Sequence, residues 1–274
     1  MEWVARKLDW TRTLRPWMPD GFERYVRVLH PAFVRVSEEE KGVREISVPW
    51  STVGGWSGKP VNATSHIQDL MLRADGITWT EQGREGLAPS QGQMDSESLG
   101  RLLTHVTEET TTPNEIWMLI WTGYGGPPDV VGLPVEVSWF LGATGRHYVL
   151  RRGSILSTPD GPDGPAFENP PTFWWPADRS WFVVCDLDAA STYVGGSQKL
   201  IQRILRDTSL EVFPAQLDDP YDGLFVSNAI VENAKSRVEP RNRIRHHLHH
   251  FRFRFGHRPS SGQIQFRKKR FWKW

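Results

Sequence analysis

The chain has 274 residues and a formal net charge of +1, with 38% hydrophobic residues, 24% charged residues and one cysteine. This composition excludes a wholly disordered chain, and the length suffices for a core that needs no disulfides. The single Cys185 excludes an internal disulfide and a cysteine-based metal site, and the longest aromatic and aliphatic run, IWMLIW, is too short to cross a membrane, so we predict a cytoplasmic protein without a membrane partner.

Strand and helix patterns both occur in the first half of the chain. Apolar alternation predicts a strand over residues 23–29, and EISVP predicts a short strand followed by a glycine-rich loop. NATSHIQDLMLRAD is typical of a short helix. A polar loop over residues 81–93 then precedes the clearest helix, SESLGRLLTHVTEET, which Asp95 or Ser96 can cap.

The second half is richer in strand patterns. IWMLIW predicts a buried strand, and VEVSWFL with RHYVLRRG predicts a hairpin. A strand over residues 181–187, a loop, a helix over residues 197–205 and the short strand LEVFPA follow. Because the elements do not alternate as βαβ units, we predict an α+β fold with a mostly antiparallel sheet, a few packed helices and a basic C-terminal tail. The α+β domain takes residues 1–233.

Three segments of the chain are similar in sequence to known proteins. WWPADRSWFVVCDLDAASTYVGGSQKLIQRIL, together with GFERYVRVLHPAF and TPNEIWMLIWTGYGG in the same order, resembles a pattern in uncharacterised actinobacterial proteins. The resemblance covers about residues 20–220. It implies a common fold unit and no particular activity.

An aromatic group stands beside polar residues in this segment. Trp174, Trp175 and Trp181 surround Asp178 and Arg179. Such a group can stack a ring or hold a peptide, or the rings can fill the core while Asp178 and Arg179 pair at its rim. The predicted buried strand and its turn offer three more aromatic residues: Trp117, Trp121 and Tyr124.

Two further groups of residues in the same segment suggest chemistry. Asp186 and Asp188 alternate along the predicted strand and could bind a divalent metal or act as a base, or they could cap the next turn. The Gly195, Gly196 and Ser197 turn opens a helix and could bind an anion, or Ser197 could simply cap that helix. Cys185 is expected in the core, since two acidic residues follow it closely.

The positive and negative charges are unevenly distributed between the C-terminal tail and the rest of the chain. From residue 235 onwards there are 13 Lys and Arg and one acidic residue, a net charge of +12, which leaves 20 basic and 31 acidic residues, a net charge of −11, in residues 1–234. Residues 234–274 therefore form a basic, aromatic extension without the apolar stripe of a packed core, as is typical of disordered segments. Its clustered bases are suited to nucleic acid: Arg252, Arg254, Arg267, Lys268, Lys269 and Arg270.

These patterns leave three functions open. The first is a tryptophan-rich, non-enzymatic module that binds a protein or peptide through an acidic surface. The second is a nucleic-acid-associated protein that uses the tail. The third is an enzyme that acts on a small anionic substrate at residues 195–197. The spacing of His246, His249 and His250 fits metal chelation, although such tracts often bind metal adventitiously, and we predict no cofactor and no metal site.

Overall fold

The computed structural model describes residues 13–38, 42–71, 80–81, 84–87, 91–92, 94–121, 135–141, 146–155 and 171–222. The chain divides into two units, Met1–Arg237 and Val238–Trp274, and all the described residues lie in the first.

Within the described residues the chain forms four helices and twelve strands. The helices are α1 (Trp50–Ser57), α2 (Ile67–Met71), α3 (Ser96–Thr107) and α4 (Gln198–Arg206). The strands are β1 (Arg24–Leu29), β2 (Ala32–Glu38), β3 (Gly42–Val48), β4 (Thr80–Glu81), β5 (Arg84–Leu87), β6 (Ile116–Trp121), β7 (Val135–Leu141), β8 (Arg146–Gly153), β9 (Phe173–Pro176), β10 (Trp181–Val184), β11 (Ser191–Gly196) and β12 (Val212–Ala215).

The strands form two antiparallel sheets. The larger sheet has the order β12-β1-β11-β10-β9-β6-β8-β7, and the smaller has the order β3-β2-β5-β4. Helices and strands do not alternate along either sheet. The predicted α+β class with a mostly antiparallel sheet is therefore confirmed.

Helices α3 and α4 pack on one face of the larger sheet. Asp95 is the N-cap of α3, as predicted. Its side chain accepts a hydrogen bond from the Ser98 amide. The buried stripes of the two helices meet alternate residues of the central strands, including Met118 and Val183. Those stripes consist of Leu99, Leu102 and Val106 in α3 and Leu200, Ile201 and Ile204 in α4.

Segments from the two ends of the described chain contribute to the core on the opposite face. Leu14, Trp17 and Met18 join Tyr221 in a cluster with the other set of alternate strand residues. The rings of Trp17 and Tyr221 stack with centroids 4.6 Å apart. Since both faces of the central strands are buried, these strands lack the polar and apolar alternation of a half-exposed sheet.

Several elements differ from the prediction, and β2 and β9 match no predicted element. The strand predicted over residues 181–187 ends at Val184, and the loop predicted after it contains β11, a fully buried central strand. The polar loop over residues 81–93 contains β5. The glycine-rich loop after EISVP is the helix α1, in which Trp50 and Val53 are buried. Burial on both sides hid β11, and tertiary packing outweighed the low helix propensity of glycine in α1.

A buried ion pair lies between β1 and the end of the described chain. Arg27 donates from Nη2 to Asp222 Oδ2 over 2.9 Å, and both side chains are only 2% exposed. Ser191 accepts a hydrogen bond from Arg27 Nε and donates one to Asp222 Oδ2. The remaining guanidinium nitrogen donates to the carbonyls of Ala63 and Ser65.

The environment of Arg27 keeps it charged despite its burial. Burial alone would lower the pKa of Arg27, but Tyr193 and Asp222 outweigh that effect and raise it. The guanidinium also lies over the ring of Trp50, 5.3 Å from its centroid. A hydrogen-bonded network of this kind fixes β1, β11, the segment before α2 and the chain at residue 222 relative to one another.

Replacing Asp222 tests how far the fold depends on this pair. Asp222→Asn retains the side-chain shape but leaves the Arg27 charge buried without its counterion. We expect the free energy of unfolding to fall by about 3–5 kcal/mol. Urea unfolding followed by tryptophan fluorescence measures the change.

Asp218→Asn is the matched control. Asp218 accepts hydrogen bonds of 2.9 Å from Arg15 Nε and Nη2, but its side chain is 77% exposed. An exposed pair contributes about 0–1 kcal/mol, so this variant should unfold close to the wild type. Equal losses in the two variants would contradict the special role of the buried pair.

Candidate functional site

The predicted aromatic binding surface is part of the core. Trp174, Trp175 and Trp181 are 4%, 3% and 0% exposed. Trp174 and Trp181 meet edge to face, and the Trp181 indole nitrogen donates to the Val106 carbonyl. The interpretation of these rings as a stacking surface is therefore wrong, because the central strands bury them on both faces of the sheet.

The aromatic residues predicted to extend that surface have different positions. Trp117 and Trp121 are half-buried on β6, and the exposed Arg152 lies over the Trp117 ring, 5.5 Å from its centroid. Tyr124 lies outside the described residues. Trp117 and Trp121 therefore pack against the same core cluster as Trp175.

Asp178 and Arg179 form the turn between β9 and β10. The Asp178 carboxylate accepts hydrogen bonds from the Thr111 amide and the hydroxyls of Thr110, Thr111 and Ser180. Partial burial opposes ionisation, but these bonds and the Ser180 amide outweigh it and lower the pKa of Asp178 to about 2. Arg179 has a φ of 57°, which lets the chain reverse here. Asp178 therefore ties the turn to the segment before β6.

Asp186 and Asp188 do not share a strand face. Both follow the end of β10, and Asp186 is fully buried while Asp188 is half-buried. Asp186 accepts a hydrogen bond from the Asp188 amide through its side chain and one from Ala189 through its carbonyl. The pair shapes a turn, as the alternative interpretation predicts. Within the described part of the chain, no three His, Cys, Asp or Glu residues gather where they could hold a metal ion.

The residues of the predicted anion site have roles in packing and helix capping. Gly195 and Gly196 end β11 rather than forming a turn, and a Cβ on Gly195 would lie 2.7 Å from the Phe22 ring. Ser197 caps α4 by accepting from the Leu200 amide, and its hydroxyl donates to Glu109 Oε1 over 2.5 Å.

The first turn of α4 faces two carboxylates. The Gln198 amide donates to Glu23 Oε2 over 2.7 Å, and Glu109 binds the Ser197 hydroxyl. These contacts favour the alternative interpretation, in which Ser197 caps the helix.

Cys185 belongs to the core, as predicted. It is 8% exposed, and its Sγ lies 3.8 Å from His30 Nε2. Burial raises the pKa of the Cys185 thiol to about 12. The thiol therefore stays protonated at neutral pH and is a poor nucleophile.

The described residues do contain an open groove, which sequence patterns did not indicate. It has a volume of about 390 Å³ and lies where the end of β3 meets the turn between α4 and β12. Five residues line it with hydroxyl groups: Ser47, Ser51, Ser98, Thr208 and Ser209. Leu29, Val48 and Leu210 supply aliphatic surface.

Glu211 lines the groove and binds the first turn of α1 through its carboxylate. Its Oε2 accepts from the Trp50 amide over 2.5 Å and its Oε1 from the Ser51 amide over 2.8 Å. The carboxylate thus caps α1 from a distant part of the chain, since Pro49 at the N-cap position provides no side-chain hydrogen bond. The run TSLE, which follows the α4 pattern and overlaps the start of LEVFPA, was the sequence signal for Glu211, but it fits an ordinary turn equally well.

Two edge strands border the groove. β3 is the first strand of the smaller sheet, and β12, which follows Glu211 directly, is the first strand of the larger one. Within the described ranges, neither strand pairs on its outer side. Pro214 in β12 weakens that edge for further pairing, because proline has no amide hydrogen to donate. The β3 edge therefore offers the better backbone surface.

The fold and the groove define an α+β protein in which two antiparallel sheets meet at an open, hydroxyl-lined surface. No protein-family model matches the chain. Curated proteins and solved structures give no match either. Among the described helices, none combines the length and apolar character needed to cross a membrane.

The predicted nucleic-acid residues lie outside the described residues. They are Arg252, Arg254, Arg267, Lys268, Lys269 and Arg270, and the same holds for His246, His249 and His250.

The pKa of Asp178 leads to a pH-dependent prediction. Its folded value of about 2 is below the ordinary 3.8, so its stabilising effect is complete above about pH 4 and is lost as the pH falls towards 2. Asp178→Asn lacks this titration. We expect the wild type to melt at a higher temperature than the variant at pH 6, with a difference that shrinks between about pH 4 and 2.

Thermal melts across this pH range test the prediction. Asp218→Asn again serves as the control, because its exposed carboxylate makes only surface contacts. A difference between wild type and Asp178→Asn that stays constant from pH 6 to pH 2 would contradict the assignment.

Proposed function

We propose that this protein is a non-enzymatic module that binds an extended segment of a protein or peptide in the groove beside β3. The observation that carries the proposal is the combination, at one place, of an open pocket and the edge strand β3, which has no partner on its outer side within the described ranges. An extended peptide can add to such an edge through its backbone while alternate side chains enter a neighbouring pocket.

The lining of the groove supports this mode of binding. Hydroxyl groups both donate and accept hydrogen bonds, so Ser47 and Ser209 can pair with the amides and carbonyls of a peptide backbone. Leu29, Val48 and Leu210 offer a small apolar floor for one side chain. A mixture of apolar surface with a few directed polar groups is typical of sites that bind rather than of a solvated surface.

Blocking the groove tests the proposal. Ser209 is exposed in the groove lining, and Ser209→Trp should fill the space that the peptide needs. A phage library of random heptapeptides selected on the full chain should yield sequences that bind the wild type. We expect Ser209→Trp to weaken those peptides by about tenfold or more, measured by fluorescence anisotropy.

Gln202→Trp is the matched control, because Gln202 is exposed on α4 outside the groove. It should bind the selected peptides as the wild type does. Equal binding by all three proteins, or a selection that enriches no peptide, would count against the proposal.

A second function has separate support from the distribution of charge. The segment from residue 235 onwards has a net charge of +12, whereas residues 1–234 have a net charge of −11. Bases interleaved with phenylalanine and tryptophan favour single-stranded nucleic acid, through phosphate contacts and base stacking. We propose nucleic-acid association through the tail as the alternative function.

Neutralising three neighbouring bases tests the tail. The combined substitution Lys268→Gln, Lys269→Gln and Arg270→Gln should weaken the binding of a labelled oligouridine and reduce the salt dependence of that binding. The control neutralises Arg101, Lys199 and Arg206, which are exposed on α3 and α4. Gel-shift titrations at two salt concentrations compare the variants, and equal losses would contradict a specific role of the tail.

A further inference from the structure

We propose that the groove selects a segment with a lysine or arginine side chain, and that Glu211 binds its cationic group. This inference rests on the proposed peptide-binding function and adds the chemical class of the partner.

Among the described residues that line the groove, Glu211 is the one with an ionisable side chain. Each of its carboxylate oxygens accepts one backbone hydrogen bond, Oε2 from Trp50 and Oε1 from Ser51. A carboxylate oxygen has two lone pairs, so each oxygen can accept a second hydrogen bond. An ammonium or guanidinium group satisfies both the charge and the remaining acceptor capacity.

The charged residues next to the lining positions favour a cation. Glu97 lies next to the lining residue Ser98, and the exposed base Arg206 lies two residues from Thr208. Glu45 and Asp207 are equally close in sequence to the lining, but Glu45 is paired with Arg35 and Asp207 with His105. Arg27 is similarly close in sequence, but it is buried and paired with Asp222. With Glu211 included, the neighbourhood thus has an excess of acidic groups, in keeping with the net charge of −11 in residues 1–234. A positive segment would be attracted and an acidic one repelled.

The apolar surface suits the stem of a long basic side chain. Val48 is half-buried and supplies most of the accessible aliphatic surface, because Leu29 and Leu210 are only 2% and 6% exposed behind it. Lysine and arginine pack their methylene groups on apolar surface while the charge reaches a polar partner. The aliphatic residues and Glu211 line the same groove, so one side chain can meet both.

Three matched probes test the charge preference. They are acetylated and amidated heptapeptides of alternating valine and threonine that carry Lys, Gln or Glu at the centre. With the full chain, we expect the Lys peptide to bind about tenfold more tightly than the Glu peptide, with the Gln peptide between them. Fluorescence anisotropy at low salt measures the three dissociation constants.

Charge changes at Ser209 give the second part of the test without altering the cap on α1. Ser209→Lys should weaken the Lys peptide and strengthen the Glu peptide, and Ser209→Glu should do the reverse. Gln202→Lys and Gln202→Glu, on the exposed face of α4, are the controls and should change neither. A reversal of preference confined to Ser209 supports recognition of a cation in the groove.

The outcomes separate this inference from the function on which it rests. Equal binding of all three peptides, with loss in Ser209→Trp, would retain the peptide-binding groove and overturn its preference for a cation. Tighter binding of the Glu peptide would also overturn that preference. Failure of all three probes to bind would overturn the inference, whereas the library selection decides separately whether the groove binds any peptide.

Discussion

The buried pair of Arg27 and Asp222 is the constraint on which the other parts of the structure depend. A guanidinium that is 2% exposed is tolerated only when its donors and its charge are matched, and Asp222, Ser191 and two carbonyls provide that match. The partners come from β11, from the segment before α2 and from the end of the described chain. Long-range hydrogen bonds therefore join elements that the hydrophobic clusters alone would position less specifically, since apolar contacts have no preferred direction.

The same region leads to the groove through α1. The Trp50 ring lies under Arg27, its indole nitrogen donates to the His30 carbonyl, and its amide is capped by Glu211. α1 is thereby fixed from both sides, and the end of β3 that precedes it is held beside the turn after α4. The hydroxyl-lined groove thus lies between the end of β3 and the turn that follows α4, next to the place where the two sheets are joined.

The location of the groove also explains why the residues that stand out in the sequence do not line it. The central strands of the larger sheet are covered on both faces, so Trp174, Trp175, Trp181 and the glycine pair serve packing, while Asp178 and Asp186 stabilise turns. A site needs side chains that remain accessible, and here these are small hydroxyl residues at strand and helix ends. Binding through such a surface would use backbone hydrogen bonds and one charged group, with little need for large aromatic contacts.

The sequence by itself determined the α+β class, the capped helix α3, most of the strands and the buried character of Cys185, because these follow from local periodicity and composition. It did not reveal β11, whose burial on both faces removes alternation, or α1, whose glycines predict a loop. Only the tertiary structure decided that Trp174, Trp175 and Trp181 are core and that Ser47, Ser98 and Ser209 share a groove with Glu211. Those residues are far apart in the chain, and no local pattern encodes a contact whose energy arises from packing between distant segments.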